Sequence, residues 1–215
     1  MSLKVNWPEA IKPLLKKYKN KKHPLEYGNT YQLLVMVVLS AQDSDRHINQ
    51  IAPRFFAAFP NMEALSQATP DAITELISDV RNFGNKSKWL SELSKKIKKD
   101  KNIPLTLDEL TELPGIGRKS ANVIKRESGA VAEGVIVDLH VVRVVQRLGI
   151  VQVEEPKKIE ERLMKILPVK EWDAGMAMSF LGRDICHPKP DCPVCLMKRV
   201  CGYYKVNFRQ EKSGK

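Results

Sequence analysis

Cysteine is absent from the first 185 of the 215 residues, and all four, Cys186, Cys192, Cys195 and Cys201, fall within one 16-residue stretch. That distribution excludes the scattered pairs that staple a small secreted domain. It points instead to a metal or an iron–sulfur cluster held by thiolates in a reducing compartment. A long apolar run is missing too. The longest, Leu33 to Leu39, falls far short of the roughly 20 residues a membrane-spanning helix needs, and it reads as a buried helix. The stretch MSLKVNWPEAIKPLLKKYKNKK lacks the apolar core and small-residue cleavage site of a secretory signal. The expectation is therefore an intracellular protein, cytoplasmic and nucleoid-associated if prokaryotic. Acidic excess is likewise absent: 36 Lys+Arg against 25 Asp+Glu give a formal charge of +11 and a pI near 9.5. So basic a balance favours a polyanionic partner, nucleic acid or an acidic membrane surface.

Alternating β-branched runs are not found, nor is an internal repeat or low-complexity tract. Apolar residues recur at helical spacing nearly throughout, so the expected fold class is all-α. Pro8 opens a first helix that Pro13 should kink or shorten, and Thr30 should cap the apolar helix that follows it. Ser44 or Asp45 starts the next, which Pro53 should bend and Pro60-Asn61 should end. Short amphipathic helices follow, one of them carrying Thr106 and Glu109 as a capping box. The basic run KKIKKDK reads as a solvated helix face, and the tail after Phe208 as disordered.

What is present in quantity at one place is chemistry. Leu113-Pro114-Gly115-Ile116-Gly117 lies between a helix ending near Glu112 and one beginning near Gly117, and Arg118 and Lys119 occupy the first turn of the second. Glycines permit a tight turn and close approach, while the free amides and positive dipole end of the following helix suit a phosphate oxygen. The residues alone support either an anion site or a purely structural turn. Asp138 follows the apolar Val135-Ile136-Val137 and precedes a valine-rich segment. It reads as a helix cap, a position that is also compatible with catalysis.

The turn LPGIGRKSAN is similar to the hairpin of the helix-hairpin-helix motif, which grips DNA backbone without reading its sequence. With Val137-Asp138-Leu139-His140 and the downstream cysteines, the chain from about Thr30 to Cys201 resembles the endonuclease III family of DNA glycosylases. The resemblance implies that Lys119 is a nucleophile and Asp138 its essential partner. Lys119 would attack the sugar C1′ of an everted nucleotide, displace the base and leave a Schiff base whose β-elimination breaks the strand. Asp138 would accept a proton during attack and stabilise the positive charge that develops on the sugar. A free lysine has a pKa of about 10.4, so only about one in a thousand is neutral near pH 7.4, and burial of Lys119 in a closed cleft is expected to favour the amine.

The same resemblance makes Gln42, in LSAQDSD, the residue that fills the space left by the everted base. It puts Asn82, beside Phe83, where a leucine wedge to the opposite strand is usual. Leu139 replaces a more usual Thr, and His140 is expected to pack rather than catalyse. The cysteines are spaced C-x5-C-x2-C-x5-C, one residue shorter in the first gap than the family pattern. Pro188 and Pro190 should let that loop close around a structural [4Fe–4S] cluster, with zinc the second candidate. The loop would then present Lys189, Lys198 and Arg199 to phosphates.

Two helical lobes are expected with the active site in the cleft between them. One is a helical barrel over residues 22–133 that contains the hairpin 113–117. The other is discontinuous, residues 1–21 with 134–215, and carries the cysteine loop 186–201. The implied function is a bifunctional glycosylase and apurinic/apyrimidinic lyase that removes oxidised pyrimidines in base excision repair. The implied partner is double-stranded DNA with damaged bases or abasic sites, bound by a monomer without a membrane. The alternatives are a monofunctional glycosylase of another lesion and a non-catalytic helix-hairpin-helix DNA-binding module.

Overall fold

The computed structural model describes residues 5–208, which contain twelve α-helices and no strand. The tail expected to be disordered lies outside the described residues. In chain order the helices are α1 (Trp7–Tyr18), α2 (Thr30–Ser40), α3 (Asp45–Ala58), α4 (Met62–Ser66), α5 (Pro70–Ile77), α6 (Phe83–Ile97), α7 (Leu107–Thr111), α8 (Arg118–Glu127), α9 (Leu139–Leu148), α10 (Pro156–Ile166), α11 (Ala174–Asp184) and α12 (Gly202–Asn207). Among the described residues none of these is long and apolar enough to cross a membrane.

Side-chain caps set most of the boundaries. Asn61 caps α4 and Thr69 caps α5, each accepting an amide two or three residues into its helix. Ser44 caps α3 by accepting the His47 amide at 3.1 Å. The cap of α2 is Asn29, which accepts from the Gln32 amide at 2.9 Å, and not Thr30 as expected, which is the first helical residue. At α7 the Thr106 hydroxyl accepts weakly from the Glu109 amide at 3.4 Å and donates to the Glu109 carboxylate at 2.5 Å, a variant of the capping box. Pro13 and Pro53 interrupt neither α1 nor α3. Both prolines are exposed, and water can take the carbonyl each leaves without an intrahelical amide.

The chain divides into two compact units, Lys22–Glu133 and Met1–Lys21 with Gly134–Lys215. In the contiguous unit α2 is the buried axis: Tyr31 and every residue from Leu33 to Leu39 are buried. Such a helix, apolar on all sides, can sit only in the middle of a bundle. The discontinuous unit is organised around α11, buried from Ala174 to Gly182. A Cβ at Gly175 would lie 2.4 Å from the Ile136 carbonyl oxygen, and one at Gly182 would lie 2.7 Å from the His140 Cβ. Glycine at these two places lets α11 press against the Val135–Val137 segment and the start of α9. On its other side α11 takes α1, with the Tyr18 and Phe180 ring centroids 5.7 Å apart and Lys21 paired to Asp184 at 2.7 Å.

Candidate functional site

In the contiguous unit, α7 and α8 are joined by a turn anchored from below. Leu113 and Ile116 are buried, and the Ile116 amide donates to the Leu113 carbonyl at 3.1 Å. The two glycines of this turn differ in kind. Gly115 has φ +79, and a Cβ there would stand 2.8 Å from the Trp89 ring, so both backbone and packing require glycine. Gly117 has an ordinary φ of −88, and a Cβ there would meet nothing within 4 Å. Nothing inside the protein explains its lack of a side chain. It is the N-cap of α8, so the open space lies beside the first amides and the positive end of the helix. Arg118 and Lys119 are both exposed in the turn that follows, and Lys119 makes no hydrogen bond or ion pair among the described residues. The expected burial of Lys119 is not observed. It stands in the first turn of α8, ahead of the buried residues that begin at Ala121.

In the discontinuous unit, Asp138 is the N-cap of α9, and both of its oxygens are occupied. Oδ1 accepts the Val141 amide at 2.9 Å, and Oδ2 accepts the Ser179 hydroxyl at 2.5 Å. Ser179 is fully buried on α11, carried there by the close approach that Gly175 and Gly182 permit. The carboxylate is thus fixed in orientation by a helix end and a neighbouring helix. Leu139, immediately after it, is 84% exposed. His140 is half-buried, with its Nδ1 3.0 Å from the Arg143 guanidinium.

Gln42 and Asn82 belong to turns that one carboxylate brings together. Asp43 Oδ1 accepts the Ser44 amide at 2.7 Å and lies 2.9 Å from the His47 Nδ1, while Oδ2 accepts the Arg81 amide at 2.9 Å. Burial acts to raise the Asp43 pKa, and the Arg81 amide, the His47 ring and the Ser44 amide outweigh it, leaving it below the usual carboxylate range. Beneath the turns, Lys86 is fully buried and donates to the Leu39 carbonyl at 2.6 Å. Burial depresses its pKa, against the pull of Asp43. Gln42, Asn82 and Phe83 are exposed above this support, and Asn82 caps α6 without a side-chain cap bond.

The four cysteines line one cavity in the discontinuous unit, with Val144, Leu148 and Tyr203 among the other walls. Cys192, Cys195 and Cys201 are buried, and burial followed by the neighbouring thiols pushes the pKa of Cys192 up. Arg147 binds this loop together. Its guanidinium donates to the Cys186 Sγ at 3.3 Å, to the His187 carbonyl at 2.5 Å and to the Pro188 carbonyl at 2.9 Å, and it lies over the Tyr203 ring. Four soft donors lining one apolar cavity fit a thiolate-ligated group, and thiolate formation at buried sulfurs calls for a positive centre. No three His, Cys, Asp or Glu among the described residues meet closely enough for a single metal ion. Lys189 and Arg199 are exposed at the loop, whereas Lys198 donates to the Pro193 carbonyl at 2.6 Å and helps to close it.

Sequence reasoning passed over Ser179, Asp43, Lys86 and Arg147. Only the lysine carried any local signal, as a charge at an otherwise apolar face of α6.

A helical bundle whose paired helices meet at a glycine turn open to an anion defines a helix-hairpin-helix protein. Residues 35–169 match the family described as HhH-GPD superfamily base excision DNA repair protein. The chain is 36% identical over 197 residues to the endonuclease III of Synechocystis sp., covering 90% of each sequence, and 32% identical to that of Bacillus subtilis, covering 88% of this chain and 87% of that relative. The solved structure of a trapped endonuclease III–DNA covalent intermediate superposes with a TM-score of 0.83 at 30% identity, over 92% of this chain and 95% of that one. A thermostable thymine-DNA glycosylase shares the fold at a TM-score of 0.77 and 20% identity, over 91% of this chain and 95% of that one. The chain belongs to the endonuclease III family, and it is a base excision repair enzyme, a DNA glycosylase with apurinic/apyrimidinic lyase activity.

Proposed function

We propose that the chain removes oxidised pyrimidines from duplex DNA through a covalent intermediate on Lys119, acting as a monomer inside the cell. The observation that carries this reading is the pairing of an open glycine cap at Gly117 with an exposed, unpartnered ammonium two residues further on. Phosphate bound at the Arg118, Lys119 and Ser120 amides, with Leu113, Pro114, Gly115 and Ile116 shaping the turn, would hold the strand beside that ammonium. The likeness to a solved, trapped endonuclease III–DNA covalent intermediate supports a covalent route.

On this reading Lys119, once deprotonated, attacks C1′ with its Nζ lone pair, and the glycosidic bond breaks with the base taking its electrons. Asp138, held by Val141 and Ser179, stabilises the cationic sugar and takes up the proton released on attack. The C1′–O4′ bond then breaks as the nitrogen lone pair forms the Schiff base and O4′ takes a proton; the imine acidifies C2′, and loss of that proton expels the 3′ phosphate. Gln42 fills the vacated stack, and Asn82 and Phe83 meet the opposite strand. Because Asn82 is polar, its own contact is a hydrogen bond, and Phe83 beside it supplies the apolar surface. Cys186, Cys192, Cys195 and Cys201 would hold a [4Fe–4S] cluster, which supplies rigidity to the loop and not electrons, since base release and elimination involve no net redox change. Lys189 and Arg199 on that loop would face phosphates.

The test is borohydride reduction on a duplex with a single oxidised pyrimidine. The parent should be trapped on DNA and Lys119→Gln should not. Equal trapping of the two would remove Lys119 from the reaction, and base release without strand cleavage would reduce the enzyme to a monofunctional glycosylase.

A further inference from the structure

Two exposed turns of the contiguous unit share an unusual backbone. Gln42 has φ 60 and Asn82 has φ 61, the left-handed region that is uncommon for a glutamine and more readily entered by an asparagine. One side chain joins the two turns. Asp43, next to Gln42, takes the amide of Arg81, next to Asn82, on Oδ2, while its Oδ1 faces the start of α3 at Ser44 and His47. Lys86, one turn into α6, ties the same helix to the last turn of α2 through the Leu39 carbonyl. The Gln42 side chain itself makes no hydrogen bond among the described residues, and the Asn82 amide oxygen accepts only from Asn85, at 2.9 Å. The support is dense below the turns and the tips are left open.

We propose that Asp43 is a positioning residue that locks the Gln42 and Asn82 turns into one rigid two-pronged element, so that both enter the duplex in a single step during base eversion. This rests on the reading of Gln42 and Asn82 as residues that enter DNA. Two separate flexible turns would each lose conformational freedom on insertion, whereas turns joined through a shared carboxylate lose it once, in folding. Acceptance of backbone amides by a carboxylate is a charge-assisted bond, strong enough to hold strained neighbours. It is also directional, so it sets the spacing of the two prongs as well as their order.

The joint action can be read from a double-variant cycle on the rate of base eversion, measured with a fluorescent base analogue stacked beside the lesion. In the parent, Gln42→Ala and Asn82→Ala should each slow eversion about tenfold, and the pair should be slower than either single variant by less than about threefold, because loss of one prong already stalls the common step. In an Asp43→Ala background, or the milder Asp43→Asn that keeps one carbonyl oxygen, the two effects should multiply independently. A cycle that stays non-additive after Asp43 is changed overturns the proposal, even if the variant melts at a lower temperature. If neither Gln42→Ala nor Asn82→Ala slows eversion, the insertion reading fails and the shared-step proposal with it, while trapping on Lys119 is unaffected and the proposed chemistry stands.

Discussion

Gly115 and Gly117 lie two residues apart in one turn, and the structure predicts opposite consequences for adding a methyl group to each. At Gly115 the new Cβ would meet the Trp89 ring at 2.8 Å with the backbone at φ +79. Left-handed backbone costs an L-residue about 1–2 kcal/mol, and forcing a methyl into a packed site adds about 1–3 kcal/mol. For Gly115→Ala the expected destabilisation is therefore about 3 kcal/mol, and at roughly 2–4 °C per kcal/mol for a chain of this length the melting temperature should fall by about 6–12 °C. At Gly117 the backbone is ordinary and the space is empty. Restriction of the unfolded chain favours alanine by about 0.4–1 kcal/mol, and the poorer N-cap costs a similar amount, so Gly117→Ala should melt within about 3 °C of the parent. Its defect should appear in binding. A methyl between the α8 amides and a phosphate should weaken affinity for abasic-site duplex about tenfold at each salt concentration, with the salt slope nearly unchanged because no cation is removed. Thermal melts beside fluorescence anisotropy titrations over a salt series measure both. The reasoning fails if Gly117→Ala binds DNA within twofold of the parent at every salt concentration, or if it melts as low as Gly115→Ala.

Ser179→Ala removes a buried donor to the Asp138 carboxylate; with hydrogen bonds to charged groups contributing about 1.5–3 kcal/mol, single-turnover base release should slow about tenfold or more, with DNA affinity unchanged in a filter-binding assay. His47 has a pKa raised above its ordinary value, first by its hydrogen bond to Asp43 and also by Asp79 at 3.5 Å, against a smaller opposing effect of burial. Its stabilising charge is thus fully present below about pH 6.5 and lost as the pH climbs through the higher folded value, so the melting-temperature gap between the parent and His47→Gln should be widest near pH 6 and narrow as the pH rises. A gap that widens with pH would contradict that sign. The purified protein should be brown, and Cys192→Ser should lose its visible absorbance and melt lower; a colourless parent with stoichiometric zinc would exchange the cluster for a single ion.

The sequence made legible those features whose cause is local. Helical periodicity marks an all-α chain, and the all-apolar Leu33–Leu39 run marks its buried axis because no other placement hides every face. Family membership could be read from the hairpin glycines and the cysteine spacing, which lie within short windows. What escaped depends on partners distant in the chain. Ser179 sits in an apolar helix and looks like any small packing residue until α11 carries it to Asp138. Asp43 looks like an ordinary residue before a cap until folding brings Arg81 to it. Thr30 and Asn29 are both good caps, and only the backbone distinguishes them. Pro13 and Pro53 were expected to kink or bend their helices, and each lies inside a continuous helix with the proline exposed. Lys198 reads as a phosphate ligand by charge, and the bond its ammonium donates to the Pro193 carbonyl could not be read from the sequence.

The discontinuity of one unit has a consequence for biosynthesis. The α2–α8 bundle is a single uninterrupted segment, and it can collapse as soon as it clears the ribosome. Helix α1 emerges earlier but has no partner until α11 has been translated, so Ile11, Leu14 and Tyr18 stay uncovered through most of synthesis. This helix is therefore made well before its native neighbours, and holdase chaperones that bind apolar segments have a long opportunity there.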